Sequence, residues 1–111
     1  MARYNRTIRF QIGELKFAWN EKKARENERK HGVTFEEVAS CWLDPFGAEF
    51  YDEEHTTEEP RWFYMGVSKF SRLLICWFTE RETIHEETIR IIGARKVNAS
   101  ERQRYEERIA R

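Results

Sequence analysis

The chain of 111 residues has little of what cross-links or interrupts a fold: two cysteines, two prolines and five glycines. Two cysteines cannot build the disulfide framework of a small secreted domain. Cys41 and Cys76 both lie in apolar stretches, which is typical of buried thiols. Buried thiols without a disulfide framework favour a reducing, cytoplasmic setting. Because no linker rich in Gly, Pro or Ser is present, we expect one domain over residues 1–111.

The sequence also lacks several signatures of membrane, nucleotide and metal chemistry. No apolar run is long enough to span a bilayer, and the N-terminus MARYNRTIRF has no apolar signal region. No glycine-rich phosphate loop supports ATP or NAD chemistry, and HEET at 85–88 is not a zinc-protease motif. Asp52 to His55 form only a weak cluster of ligand types. We therefore predict no membrane contact, no metal and no cofactor.

Charge is abundant, at 36% of the residues, but the net charge is zero. It is unevenly distributed: residues 41–60 carry seven acidic and no basic residues, whereas residues 89–111 carry seven basic and three acidic ones. Residues 1–40 are also net basic. Such asymmetry leaves a polyanion-binding face open, although an acidic middle that neutralises two basic ends is equally compatible with it.

Local patterns predict an N-terminal strand region followed by two helices. TIRFQI and LKFAW suit one or two short strands around Gly13. Asn20 is a typical N-cap for EKKARENERKH, and Gly32 is a typical residue just after a helix. Thr34 and Glu37 then form a capping-box pattern that starts VTFEEVASCWL.

Strands dominate the second half of the sequence. FGAEFY, RWFYMGVS, RLLICWFTE and ETIRIIGARK predict four strands, with turns near SKFS and RETIHE. RLLICW is apolar on both faces, as in a strand that is covered on both sides. Asn98 or Ser100 caps a last helix, whose thin apolar stripe is Tyr105 and Ile109. We predict an α+β fold in which a four- to five-stranded, mainly antiparallel sheet carries its helices on one side: two N-terminal helices packed on the sheet, plus a C-terminal helix.

Several of these segments recur together in one known family. Residues 19–38 read W-N-x-x-K-A-x-x-N-x-x-K-H-G-V-x-F-E-E-V, and an acidic loop with Asp52 and His55 follows. R-W-x-x-x-G, S-R-L-L, I-R-I-I-G-A-R-K and E-R-x-x-Y then begin at residues 61, 71, 89 and 101. Over residues 17–106 the chain resembles the BrnT family of toxins. It departs from that pattern at Pro60, at Gly93, and in an N-terminal extension or strand at 1–16.

The resemblance implies a RelE-like fold and a ribonuclease toxin of a type II toxin–antitoxin system that inhibits translation. It implies a BrnA-like ribbon-helix-helix antitoxin as partner, in a complex that we expect to be 2:2. The complex would repress its own operon, with operator DNA contacted only through the antitoxin. RNA is the implied substrate.

RNA cleavage by transesterification needs proton transfer and stabilisation of negative charge at phosphorus. Arginine suits the second task, because its planar fork matches two phosphate oxygens. A bulge at Gly93 would bring Arg90 and Arg95 to the same side of their strand. With the family resemblance, these two arginines, Arg61 and the acid/base candidate His31 form our predicted catalytic set.

Simpler roles are open for the same residues. Arg90 would pair with Glu86 or Glu87, and Arg95 would cap a helix end. His31 is also well placed as a helix-end cation. We predict RNA contacts by Lys22, Lys23, Lys96 and Tyr105, although Tyr105 as the main apolar residue of its helix equally suits packing.

A second hypothesis is a non-catalytic module that binds RNA or only the antitoxin, in effect an inactive toxin. The absence of an unambiguous acid/base pair favours it. Convergence of Arg61, Arg90 and Arg95 in one open groove with a titratable group would favour the enzyme. Pairing of each arginine with a glutamate would favour the module.

Overall fold

The computed structural model describes residues 6–54, 60–82 and 87–110. The turn predicted within RETIHE, and the side chains of His55, His85 and Glu86, lie outside the described residues. No described helix is long and apolar enough to cross a membrane. The elements are β1 Thr7–Ile12, β2 Leu15–Asn20, α1 Glu21–His31, α2 Phe35–Ser40, a 3-10 turn Cys41–Leu43, β3 Ala48–Tyr51, β4 Trp62–Val67, β5 Leu73–Glu82, β6 Glu87–Lys96 and α3 Ala99–Ile109.

The strands form one six-stranded mixed sheet in the order β1-β2-β6-β5-β4-β3. The α+β class is confirmed, but the expectation of four to five strands was too low. The N-terminal segments form a complete hairpin, which turns at Gly13 with φ +56°. Antiparallel pairing is also incomplete, because β2 runs parallel to β6 through Phe17 and Ala18. The chain path permits this parallel pairing, since α1 and five later elements separate the two strands.

Both predicted N-caps, Asn20 and Thr34, are present, but the capping box predicted at Thr34 is only half formed. Asn20 accepts a hydrogen bond from the Lys23 backbone, and Gly32 ends α1 with φ +67°. Thr34 accepts from the Glu37 backbone at 3.1 Å, as a capping box requires. The Glu37 carboxylate does not complete the box, because it bonds to Ser68 and Arg72 instead.

Helix α1 occupies the edge of β6 beyond the short contact between β2 and β6. None of its residues is buried. Asn27 attaches it to the sheet: its Oδ1 accepts from the Ala94 backbone N–H at 3.1 Å, and its Nδ2 donates to the Val33 carbonyl at 3.0 Å. The Asn27 side chain thus satisfies a strand-edge donor that no neighbouring strand bonds.

The two sides of the sheet differ, and we call them the closed face and the open face. The closed face packs on α2 and is built from aromatic and branched side chains, including Phe17, Trp19, Val33, Phe35, Val38, Leu74, Phe78 and Ile91. The open face carries buried Met65, Leu73, Ile75 and Tyr105, with half-buried Phe50, Phe63 and Trp77 around them.

Helix α3 lies on the open face, so the expectation of helices on one side only was wrong. β5 alternates apolar residues toward both sides, and Leu73 and Ile75 would be exposed without a second cover. Tyr105 is the one residue of α3 that is buried. Its hydroxyl donates to Asp44 Oδ2 at 2.6 Å, which attaches α3 to the segment after α2.

Candidate functional site

A bulge in β6 sets the geometry of the predicted arginines. Trp77 of β5 pairs with Gly93, but the next residue, Phe78, pairs with Ile91, so Ile92 is the extra residue. The bulge expected at Gly93 is therefore confirmed. Beyond it, Arg95 stands opposite Ile75 and Arg90 stands opposite Thr79. Ile75, Trp77 and Thr79 alternate on one side of β5, so both arginines belong to the open face.

Arg61 approaches the same region from the neighbouring strand. It directly precedes β4, and its carbonyl accepts from the Asp52 backbone N–H at 2.9 Å. Arg61, Trp77, Ile92 and Gly93 line a cleft of about 270 Å³, which we call the arginine cleft. The three arginines predicted from the sequence thus belong to the open face, with Arg95 over the Trp77 ring, Arg61 beside it in the cleft and Arg90 farther along β6, opposite Thr79.

Arg95 is held in place by α3. Its two terminal nitrogens donate to the two oxygens of Glu101 at 2.8 and 3.0 Å. Its guanidinium lies over the Trp77 ring, 5.1 Å from the centroid. The hydrogen bond to Glu101 raises the pKa of Arg95 above its ordinary value. Burial opposes ionisation of Glu101, but the bonds from Arg95 and the Asn98 backbone outweigh it and lower the pKa of that carboxyl.

The simpler roles proposed for the arginines are thus divided. Arg95 has a carboxylate partner, Glu101, although the sequence suggested a helix cap and not this pair. No hydrogen bond or salt bridge joins Arg90 to Glu87. Arg61 has polar contacts of its own. Arg95 is therefore neutralised by a glutamate, whereas Arg90 is not bonded to Glu87.

A larger groove lies on the other side of Trp77, and we call it the open-face groove. Its volume is about 700 Å³. Side chains of β4 and β5 form its floor, and the walls are residues 51–54 on one side and the first turns of α3 on the other. Arg104 of α3 stacks over Phe50 at 4.3 Å, and Phe50 stacks on Phe63 at 5.0 Å.

The remaining predicted residues are not gathered at Trp77. His31 is exposed at the end of α1, next to Arg29 and Lys30, where the helix dipole favours a positive charge. No described hydrogen bond or salt bridge connects it to the three arginines. Lys22 and Lys23 are exposed in the first turn of α1.

The last two predicted RNA contacts are Lys96, which precedes α3, and Tyr105, which lies within α3. Lys96 is exposed at the end of β6, and its carbonyl accepts from Arg95 at 3.1 Å. The prediction for Tyr105 needs correction. The ring is 6% exposed and its hydroxyl is bonded to Asp44, so it packs and does not offer a stacking surface.

The sequence did not reveal a buried ion pair on the closed-face side of the molecule. Glu37 is 2% exposed and binds Arg72 through both carboxylate oxygens, with Ser68 as a further donor at 2.7 Å. Arg72 also donates to the Gly32 carbonyl at 2.9 Å. These residues belong to the F-E-E and S-R-L-L segments, so part of the recurring pattern holds the fold together. Their separation of 35 residues left no local signal.

Metal and thiol chemistry find no support in the described part of the chain. None of its His, Cys, Asp and Glu residues form a group that could hold a metal ion. Burial raises the pKa of Cys41 to about 12 and that of Cys76 well above its ordinary value. Neither thiol is a nucleophile at neutral pH.

Comparison with known families gives one match. The family model described as the ribonuclease toxin BrnT of type II toxin–antitoxin systems matches residues 19–101, about three quarters of the chain. No curated protein matches the chain. The matched segment contains α1, α2, β3 to β6 and all three arginines of the open face. Strand β1, most of β2 and most of α3 lie outside it.

Proposed function

This chain belongs to the BrnT family of ribonuclease toxins of type II toxin–antitoxin systems, and from that premise we propose that it cleaves RNA on the open face of its sheet. One observation carries the assignment to that face. The bulge at Ile92 and Gly93 puts Arg90 and Arg95 on the side where Arg61 and Trp77 form the arginine cleft.

In this proposal the enzyme is a metal-independent endoribonuclease. Arg61 and Arg90 bind the scissile phosphate and stabilise the negative charge that develops on its oxygens. Arg95 offers its remaining N–H donors in a fixed position, since Glu101 holds its guanidinium over Trp77. Trp77 offers the remaining ring surface for stacking by an unpaired base.

Proton transfer needs a group of its own in this proposal. His31 is our sequence-based candidate, and it would have to act from the exposed end of α1. Lys22, Lys23 and Lys96 are exposed cations that would attract the RNA backbone over a longer range.

The proposed partner is a BrnA-like ribbon-helix-helix antitoxin. It would cover the open face with acidic and apolar groups, blocking RNA and matching the charge of the arginines. We propose a 2:2 complex that represses its own operon, with DNA contacted through the antitoxin alone. The free toxin would act in the cytoplasm and inhibit translation, and its fold would be RelE-like.

The test is induced expression in bacteria of the wild type beside Arg90→Ala, Arg61→Ala, Arg95→Ala and His31→Ala. Arg29→Ala is the matched control, because Arg29 is an exposed arginine of α1. We expect removal of Arg61 or Arg90 to lower RNA cleavage about 10²–10³-fold. Purified variants are checked for folding by circular dichroism. If the folded Arg61→Ala and Arg90→Ala variants both retain cleavage, the proposed site is rejected.

A second function has one specific observation in its favour. Arg95 is already neutralised by Glu101. A non-catalytic RNA- or antitoxin-binding module would use such a surface without an acid/base pair. Harmless expression of the wild type, with RNA or antitoxin still bound by the purified chain, would establish that alternative.

A further inference from the structure

Trp77 separates two compartments of opposite character. The arginine cleft lies on one side of it, and the open-face groove, with acidic residues at its rim, lies on the other. We propose that the groove is a nucleobase-binding subsite that selects guanine, while the adjoining phosphate occupies the arginine cleft. This inference rests on the proposed function and adds a substrate preference to it.

The floor of the groove suits a flat, unstacked ring. Phe63 and Trp77 lie side by side across β4 and β5 with ring centroids 6.5 Å apart, and the buried side chains of Met65 and Ile75 lie next to them at the bottom of the groove. All four side chains come from paired strands, so the floor is fixed by the sheet. A volume of about 700 Å³ falls in the range of ordinary small-molecule sites, which suits a nucleotide.

The rim determines which base fits. Glu53 and Glu54 line one wall, are exposed, and have no hydrogen-bond or salt-bridge partner in the described part of the chain. A carboxylate only accepts hydrogen bonds, and it can accept two parallel ones. Guanine presents two adjacent donors, N1–H and the N2 amino group, on its Watson–Crick edge.

The other bases match the rim less well. Adenine and cytosine each present one amino group beside an acceptor nitrogen, which faces a carboxylate unfavourably. Uracil presents a single N–H between two carbonyl oxygens. Only guanine can engage both oxygens of Glu53 or Glu54 at once, so the rim discriminates by hydrogen-bond pairing and by repulsion of misplaced acceptors.

Acidic residues beside RNA require a reason, and the two compartments supply it. Phosphate is repelled by the groove rim and attracted by the arginine cleft, so the backbone and the base are directed to opposite sides of Trp77. Arg104 offsets part of the rim charge from the α3 wall, where it stacks over Phe50. The arrangement therefore orients a nucleotide as well as selecting it.

The experiment titrates the purified chain with guanosine, adenosine, cytidine and uridine 5′-monophosphates by calorimetry. We expect guanosine monophosphate to bind at least tenfold more tightly than the uridine compound, as one bidentate base contact provides. Glu53→Gln combined with Glu54→Gln should reduce that ratio to below threefold without weakening the binding of uridine monophosphate, whose phosphate the rim carboxylates repel. Glu106→Gln combined with Glu107→Gln, on the exposed side of α3, is the matched control.

Cleavage of a mixed-sequence RNA by the same proteins separates the two proposals. Equal binding of all four nucleotides, or a guanine preference that survives in the Glu53 and Glu54 variant, would overturn the guanine subsite. If cleavage persists in that case, the ribonuclease assignment still holds. Guanine-selective binding without any cleavage would keep the subsite and reject the enzyme.

Discussion

The two faces of the sheet are formed by the same strands, but they differ in burial and in the contacts of their aromatic rings. On the closed face Val33, Phe35, Val38 and Phe78 are fully buried, and aromatic rings meet edge to face across β2, α2 and the 3-10 turn. On the open face the covering helix α3 buries one residue of its own, Tyr105, and arginine side chains lie over the half-buried rings of Trp77 and Phe50.

The same contrast holds for the ion pairs. Arg72 and Glu37 meet near the closed face, where Glu37 is almost inaccessible to water. Arg95 and Glu101 meet on the open face, with side-chain exposures of 33% and 18%. A buried pair acts on stability, because either partner alone would be a charge without compensation. A partly exposed pair leaves its arginine accessible to a ligand, so we propose that the first face serves stability and the second serves function.

The largest expected effect is on the closed-face side. Arg72→Ala leaves Glu37 buried with Ser68 as its remaining described side-chain donor, and we expect a loss of about 3–5 kcal/mol in the free energy of unfolding. Urea denaturation followed by circular dichroism measures it. Arg102→Ala is the control, because Arg102 meets Glu106 at 3.9 Å with both side chains more than half exposed. That control should cost no more than about 0.5 kcal/mol. Equal losses would remove the distinction between the two kinds of pair.

Low pH should destabilise the fold through Glu37, the partner of Arg72. The hydrogen bond from Arg72 is the main reason that the pKa of Glu37 is lowered, with burial opposing it. A carboxyl whose pKa is lower in the folded state stabilises the protein above its unfolded pKa of about 4.3 and loses that contribution as pH falls through the folded value. We expect unfolding free energy to fall steeply below about pH 4.3. Glu37→Gln should flatten this acid limb, and an unchanged slope would contradict the assignment.

Local rules predicted much of the fold from the sequence. The caps at Asn20, Thr34 and Asn98 and the C-cap at Gly32 depend on neighbouring residues, and each is present. The β6 bulge was predicted for the same reason, from a glycine within a strand. Consequently, the convergence of Arg90 and Arg95 on one face could be predicted.

Contacts between separate elements of the chain account for the features that were predicted wrongly or not at all. The parallel contact of β2 with β6 joins Phe17 to Ile89, and no local pattern specifies such a partner. The placement of α3 had a signal, since β5 is apolar on both faces, but one-sided packing was inferred nevertheless. The role of Glu101 was also missed, although it lies only six residues after Arg95. Glu101 also completes the capping box with Asn98, and that local role gives no indication of its pair with Arg95.

The attachment of α3 gives a prediction of intermediate size. Tyr105→Phe removes the hydroxyl that donates to Asp44, a bond to a charged group, and we expect a loss of about 1.5 kcal/mol. Asp44 keeps its bonds from the Val67 and Phe46 backbone, so the loss stays moderate. Hydrogen exchange should accelerate across 99–109 and not across 35–40. Uniform acceleration in both segments would show that the two faces are not independent.

The smallest effect on stability separates the two roles of Glu101. Glu101→Gln retains a capping box, because glutamine serves at this position, but it removes the charge that fixes Arg95. Asn98→Ala removes the cap, at about 1 kcal/mol, and leaves the ion pair. If the open face is functional, the Glu101 variant should lose RNA cleavage about tenfold with little change in unfolding free energy. The Asn98 variant should lose stability and retain cleavage. The reverse result would make Glu101 a structural residue and would place the function of Arg95 in doubt, since its guanidinium would then lie over Trp77 without consequence for RNA.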